Sequence, residues 1–106
     1  MKRRPNPAEQ EHDAITGLAT AMLGLRSVEQ LCAFLDDLCT PAELEAMTDR
    51  WRVVPLVAAG VPYREIHERT QVSVTTIGRV ARTLDRGAGG YAAALQRDTS
   101  PPSRHR

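Results

Sequence analysis

The stretch Tyr63–Leu84, YREIHERTQVSVTTIGRVARTL, constrains this chain more than any other. It reads as a short helix, a three-residue turn and a second helix. Tyr63 and Ile66 supply apolar contacts from the first helix, and Val72 is an apolar anchor in the turn. Ser73 has the side chain of a helix N-cap, whose oxygen can accept from a free amide in the first turn. Val74, Ile77, Val80, Ala81 and Leu84 then recur at helical spacing and form one apolar stripe.

The opposite face of the second helix carries Thr75, Thr76, Arg79 and Arg82, and no acid interrupts Gln71–Thr83. Short polar side chains near a helix N-terminus can reach base edges in a major groove. The free amides of that terminus favour phosphate. Thr75, Thr76 and Arg79 are therefore the candidate base readers. Tyr63, Arg64 and Arg82 would lie nearer the DNA backbone, with Ser73 at the cap between them. Two positions depart from the usual helix-turn-helix pattern. His67 stands where a small residue commonly lets the helices approach, and is expected at the rim of the crossing, pointing to solvent. Gln71 stands where glycine is common, and a positive φ there would cost a non-glycine residue about 1–2 kcal/mol.

Charge is divided along the chain. Residues 8–49 hold nine acids and one base, and residues 50–106 hold ten arginines and four acids. With Lys2, Arg3 and Arg4 at the start, the net charges are +3 for residues 1–7, −8 for 8–49 and +6 for 50–106. A basic half next to a helix-turn-helix pattern is the electrostatic footprint of a nucleic-acid face, and the acidic half orients the molecule away from phosphate. An enzyme has the least support. His12, His67 and His105 are scattered, and neither a paired nucleophile nor a phosphate-cradling glycine loop is present. Cys32 and Cys39, seven apart among apolar residues, read as buried thiols rather than a metal site or a disulfide. No apolar run is long enough for a membrane span, and the charged start MKRRPNP is unlike a signal peptide, which points to the cytoplasm and to no membrane partner.

The remaining segments read as an all-α scaffold. Residues 1–7 are expected to be a disordered basic arm, 8–97 one helical domain and 98–106 a disordered tail. Ile15, Leu18, Ala19, Met22 and Leu25 mark a first helix that Gly24 ends. Ser27 with Gln30, and Thr40 with Glu43, have capping-box spacing, and Pro41 fits the first helical position. Val28, Leu31, Cys32, Leu35, Leu38 and Cys39 form the stripe of the second helix. The third should run from Pro41 towards Ala59 with Leu44, Met47, Trp51, Val54 and Ala58 inward, and with a kink or broken turn between Trp51 and Pro55. Gly60 closes it. Three glycines in residues 87–90 require a turn, and Tyr91–Gln96 can form a last short helix. Only four aromatic residues serve the core, so a stabilising partner subunit is expected.

Taken together, TPAELE, RWRV, GVPYREI, SVTTIGRV and the closing GGY resemble the Trp repressor superfamily, and within it the YerC/YecD group of Trp repressor-like proteins. The resemblance is carried by Thr40–Tyr91, and the two preceding helices agree in number and placement. It implies an intertwined homodimer with a C-terminal helix-turn-helix, in which helix 73–84 reads the major groove of double-stranded DNA. Two such helices would meet half-sites of a near-palindromic site about 34 Å apart. The function implied is that of a sequence-specific transcriptional regulator acting as a repressor. The alternative is a protein-interaction adaptor that keeps the helix-turn-helix shape without specific DNA binding. The resemblance also places Thr40, Arg50 and Arg79 at positions that contact the corepressor in tryptophan-sensing members. There, however, a glycine gives the indole its space, and here the residue is Val80, with Thr83 in place of a serine. No cofactor is expected, tryptophan is disfavoured by Val80, and another small effector stays open. Arg50 would then pair with Asp49, Asp85 or a carboxylate of the partner chain.

Overall fold

A computed structural model describes residues 6–99. The described residues form six helices and no strand: α1 (Pro7–Leu23), α2 (Val28–Leu38), α3 (Pro41–Ala58), α4 (Tyr63–Thr70), α5 (Val74–Arg86) and α6 (Gly90–Thr99). They fall into two compact units that divide between Leu44 and Glu45.

The first unit contains α1, α2 and the first turn of α3. Its helix ends are closed by side chains, because the first amides of a helix have no partner within it. Asn6 caps α1 and exchanges side-chain bonds with Glu9, at 2.8 Å and 3.3 Å. The helix therefore begins at Pro7, inside the stretch expected to be an arm; residues 1–5 of that arm lie outside the described residues. Ser27 accepts from the Gln30 amide at 3.0 Å, while the Gln30 carboxamide reaches back one residue further, to the Arg26 amide. Thr40 and Glu43 form the complete reciprocal box at 2.8 Å and 3.1 Å. Full burial, by contrast, is absent here, and Met22, Leu31, Phe34 and Leu35 are half-buried. Neither α1 nor α2 contains a buried residue. Ile15 and Val28 are 67% and 75% exposed, and Leu18, Leu23 and Leu38 are exposed as well. Cys32 is exposed and Cys39 only partly covered, which corrects the expectation of buried thiols.

The second unit holds the core. Val53 and Val54 of α3, Ile66 of α4, Val72 of the turn, and Ile77 and Val80 of α5 are at most 5% exposed. Leu56, Val57, Val61, Tyr91 and Leu95 pack around them. Such aliphatic side chains each contribute about 1.5–3 kcal/mol when fully buried. Of the inward set expected for α3, Val54 is buried, but Met47, Trp51 and Ala58 are exposed and Val53 takes the inner position instead. The helix also continues unbroken through Pro55. Gly60, at φ 81°, then stops it: its amide bonds the Val57 carbonyl and the Val61 amide bonds that of Leu56, both at 3.0 Å. This paired closure needs a left-handed residue, and glycine adopts that conformation without a Cβ penalty. At the other end α6 runs from Gly90 to Thr99, two residues into the stretch expected as tail; residues 100–106 lie outside the described residues.

Candidate nucleic-acid interface

The interface is built on α4, the turn at 71–73 and α5, with α4 packed against α5. Ile66, Val72 and Ile77 face one another in the core, so the apolar side of each helix is used up within the protein. What remains outside is polar. Thr75, Arg79 and Arg82 are exposed and Thr76 is half-buried, and their spacing puts all four on one side of α5. Val74, expected in the apolar stripe, is 52% exposed at the start of the helix.

Ser73 caps α5 as its side-chain type implies. Its hydroxyl accepts from the Thr76 amide at 3.1 Å and donates to Thr76 Oγ1 at 3.0 Å. The cap thus orients the hydroxyl of Thr76, while that of Thr75 forms no bond among the described residues. Tyr63 and Arg64 open α4, both exposed, and Tyr63 does not serve the buried core. Ion pairing separates the arginines further. Arg69 pairs with Glu65 at 3.3 Å, Arg86 with Asp85 at 3.4 Å and Arg52 with Asp49 at 3.9 Å. Arg64, Arg79 and Arg82 form no ion pair among the described residues, so three cations of this region are left for another molecule.

The turn adopts the positive φ expected at Gln71 and adds bonds that spacing alone does not show. Gln71 has φ 65°, the only left-handed non-glycine among the described residues. Its amide bonds the His67 carbonyl at 2.7 Å, and its carboxamide donates to that of Glu68 at 3.1 Å. Thr70 Oγ1 donates to the Ile66 carbonyl at 2.7 Å and accepts from the Val72 amide at 3.1 Å. His67 is exposed, as expected at the rim of the crossing, and its Nδ1 lies 2.8 Å from the Val72 carbonyl oxygen. His67 and Thr70 were not read as functional partners of the turn. The available signal was a run of side chains able to bond backbone, His67, Thr70 and Gln71, around a position that normally takes glycine.

The residues matched to an effector pocket stand differently. Thr40 spends its hydroxyl and amide on the Glu43 box. Arg50 is half-buried on α3 and forms no ion pair among the described residues; Asp49 and Asp85 engage Arg52 and Arg86 instead. Val80 is 1% exposed, packed in the core. Among the described residues no group of three or more His, Cys, Asp or Glu could hold a metal ion, and no helix is long and apolar enough to cross a membrane.

The family model of the Trp repressor protein matches residues 13–99. The uncharacterized protein YerC of Bacillus subtilis (strain 168) is 36% identical over 80 residues, 76% of this chain and 77% of YerC. Two solved structures share the fold. A candidate Trp repressor from Staphylococcus aureus matches with a TM-score of 0.77 and 32% identity over 88% of this chain and 94% of its own. A TrpR-like protein from Eubacterium eligens ATCC 27750 matches with a TM-score of 0.75 and 32% identity over 80% and 88%. The chain, a helix-turn-helix protein with a cationic outer face on α5, belongs to the Trp repressor family.

Proposed function

We propose that the chain is a sequence-specific transcriptional regulator that represses by occupying promoter DNA. The observation that carries this is the outer face of α5: Thr75, Thr76, Arg79 and Arg82 stand together with no acid among them, and neither arginine forms an ion pair among the described residues. Hydroxyls and guanidinium groups read base edges, and cations replace the counterions of phosphate. Tyr63 and Arg64 at the start of α4 flank the same duplex from the backbone side.

Two copies act together in this reading. The first unit exposes apolar side chains from both its helices and fully buries none of them, so its amphipathic faces are completed by a second copy. Two copies then present α5 to successive major grooves of a near-palindromic site. Tryptophan is not the effector, because Val80 puts a side chain where tryptophan-sensing relatives have none. Arg50 and Arg79, neither of which forms an ion pair among the described residues, are the residues through which a different small effector would act. Selection from random duplex DNA with the purified full chain in moderate salt, with and without tryptophan, tests the reading. An enriched near-palindrome that is identical in both arms supports it, and no enrichment at all rejects it.

A further inference from the structure

We propose that His67 is a positioning residue for DNA reading, holding the peptide that leads into α5; this rests on the DNA reading above. A carbonyl has no proton to offer, so the 2.8 Å contact between His67 Nδ1 and the Val72 oxygen needs the hydrogen on Nδ1. The histidine is therefore the Nδ1–H tautomer, a donor whether the ring is neutral or charged.

Its acceptor is placed with consequence. The Val72 carbonyl belongs to the peptide that joins Val72 to Ser73, and Ser73 supplies both the side-chain cap and the first carbonyl of α5, which accepts from Ile77 at 3.0 Å. Fixing that peptide plane fixes the direction in which Ser73, Thr75 and Thr76 leave the turn. Two amides of the turn are engaged as well. The Val72 amide is held by Thr70 and the Gln71 amide by the His67 carbonyl, so His67 grips the turn from both its ring and its backbone. With Gln71 in the left-handed region, the turn has conformational strain to escape if released. The His67 ring opposes that escape at the carbonyl that directly precedes Ser73.

Replacements separate this from general packing. The side-chain nitrogen of asparagine stands one bond beyond Cγ, as Nδ1 of histidine does; that of glutamine stands one bond too far. In the full chain, His67→Asn should keep the ratio of affinities for a selected site and a scrambled duplex. His67→Gln and His67→Ala should each lose about tenfold of it, the factor carried by about 1.4 kcal/mol. The imidazole nitrogen spectrum of 15N-labelled protein should show a protonated, pyrrole-type Nδ1 at neutral pH. An Nε2–H tautomer with bare Nδ1 overturns the proposal. So does equal discrimination by the Asn and Gln variants, a comparison that stands even if the alanine variant does not fold. A wild-type chain that enriches no sequence overturns the positioning role through the reading it rests on, and the nitrogen spectrum separates that failure from failure of the hydrogen bond itself.

Discussion

The indole of Trp51 and the phenol ring of Tyr91 lie 6.5 Å apart between centroids, with their planes inclined at 47°. This tilted pair links α3 to α6 inside the second unit, beside Leu95, which packs on the same core. Aromatic pairs in such geometry contribute about 0.5–1.5 kcal/mol beyond the area they cover. Trp51 is the only tryptophan of the chain, so its emission reports directly on whether α6 is docked. Tyr91→Ala should shift that emission to longer wavelength and lower stability in urea by about 2 kcal/mol. Tyr91→Phe, which keeps the ring, should leave both unchanged; a full loss with phenylalanine would mean that the hydroxyl, not the stacking, holds α6.

Specificity and affinity should separate on α5. Thr75→Ala removes an exposed hydroxyl that bonds nothing within the described residues, so it should relax base preference at one position of each half-site with folding intact. Thr76→Val should act similarly, at a small further cost from the lost bond with Ser73. Arg82→Ala should instead weaken binding to every duplex alike and reduce the slope of log K against log salt by about one. Fluorescence anisotropy over a salt series distinguishes the two patterns, and a sequence-dependent loss for Arg82→Ala would make it a base reader.

Much of this arrangement was legible in the residues. Both the Thr40–Glu43 box and the Gly60 stop are local devices whose partners lie within a few positions, so sequence spacing alone specifies them. The core residues Ile66, Val72, Ile77 and Val80 follow from the periodicity of Tyr63–Leu84 for the same reason. Errors arose where a property depends on what lies across space. Periodicity marks Ile15 and Leu18 as apolar but does not say what covers them, and among the described residues both stay exposed, at 67% and 41%. In α3, apolar residues run through Val53, Val54, Leu56 and Val57 on several sides, so the spacing that marks the buried Val54 also marks Met47 and Ala58, which are exposed. His67 was legible as an oddity only. Its bond to Val72 exists because Gln71 turns left-handed and returns the chain to the ring, a geometry that no local pattern displays.

The exposed first unit leads to an association prediction. Sedimentation at micromolar concentration should find a dimer, and unfolding should depend on protein concentration, since the partner stabilises the folded state by mass action. Ile15 is 67% exposed in one chain. If each copy buries it against the other, Ile15→Glu removes about 1.5–3 kcal/mol twice over and weakens the dimer by about a hundredfold or more. A wild-type monomer with concentration-independent unfolding would leave the apolar faces of α1 and α2 uncovered and would remove the two-headed reader from the function proposed.

Gly78 makes the sharpest test of the reading face. It lies in the interior of α5 without a positive φ, and a Cβ built there meets only Arg82 Nη1, at an ordinary 3.6 Å. Nothing among the described residues requires glycine at this position, and glycine in a helix interior costs about 0.5–1 kcal/mol relative to alanine. Gly78 sits three residues after Thr75 and four before Arg82, on the face proposed to read DNA. A backbone that must come close to base edges would keep glycine there at the expense of stability. Gly78→Ala should therefore raise the unfolding free energy by about 0.5–1 kcal/mol while lowering affinity for the selected site by about tenfold, the equivalent of one methyl-sized clash of about 1.4 kcal/mol. The opposite signs are the test. Thermal melts and binding isotherms on one preparation measure both, and a variant that gains stability while binding as tightly as wild type would show that no surface approaches α5 at Gly78.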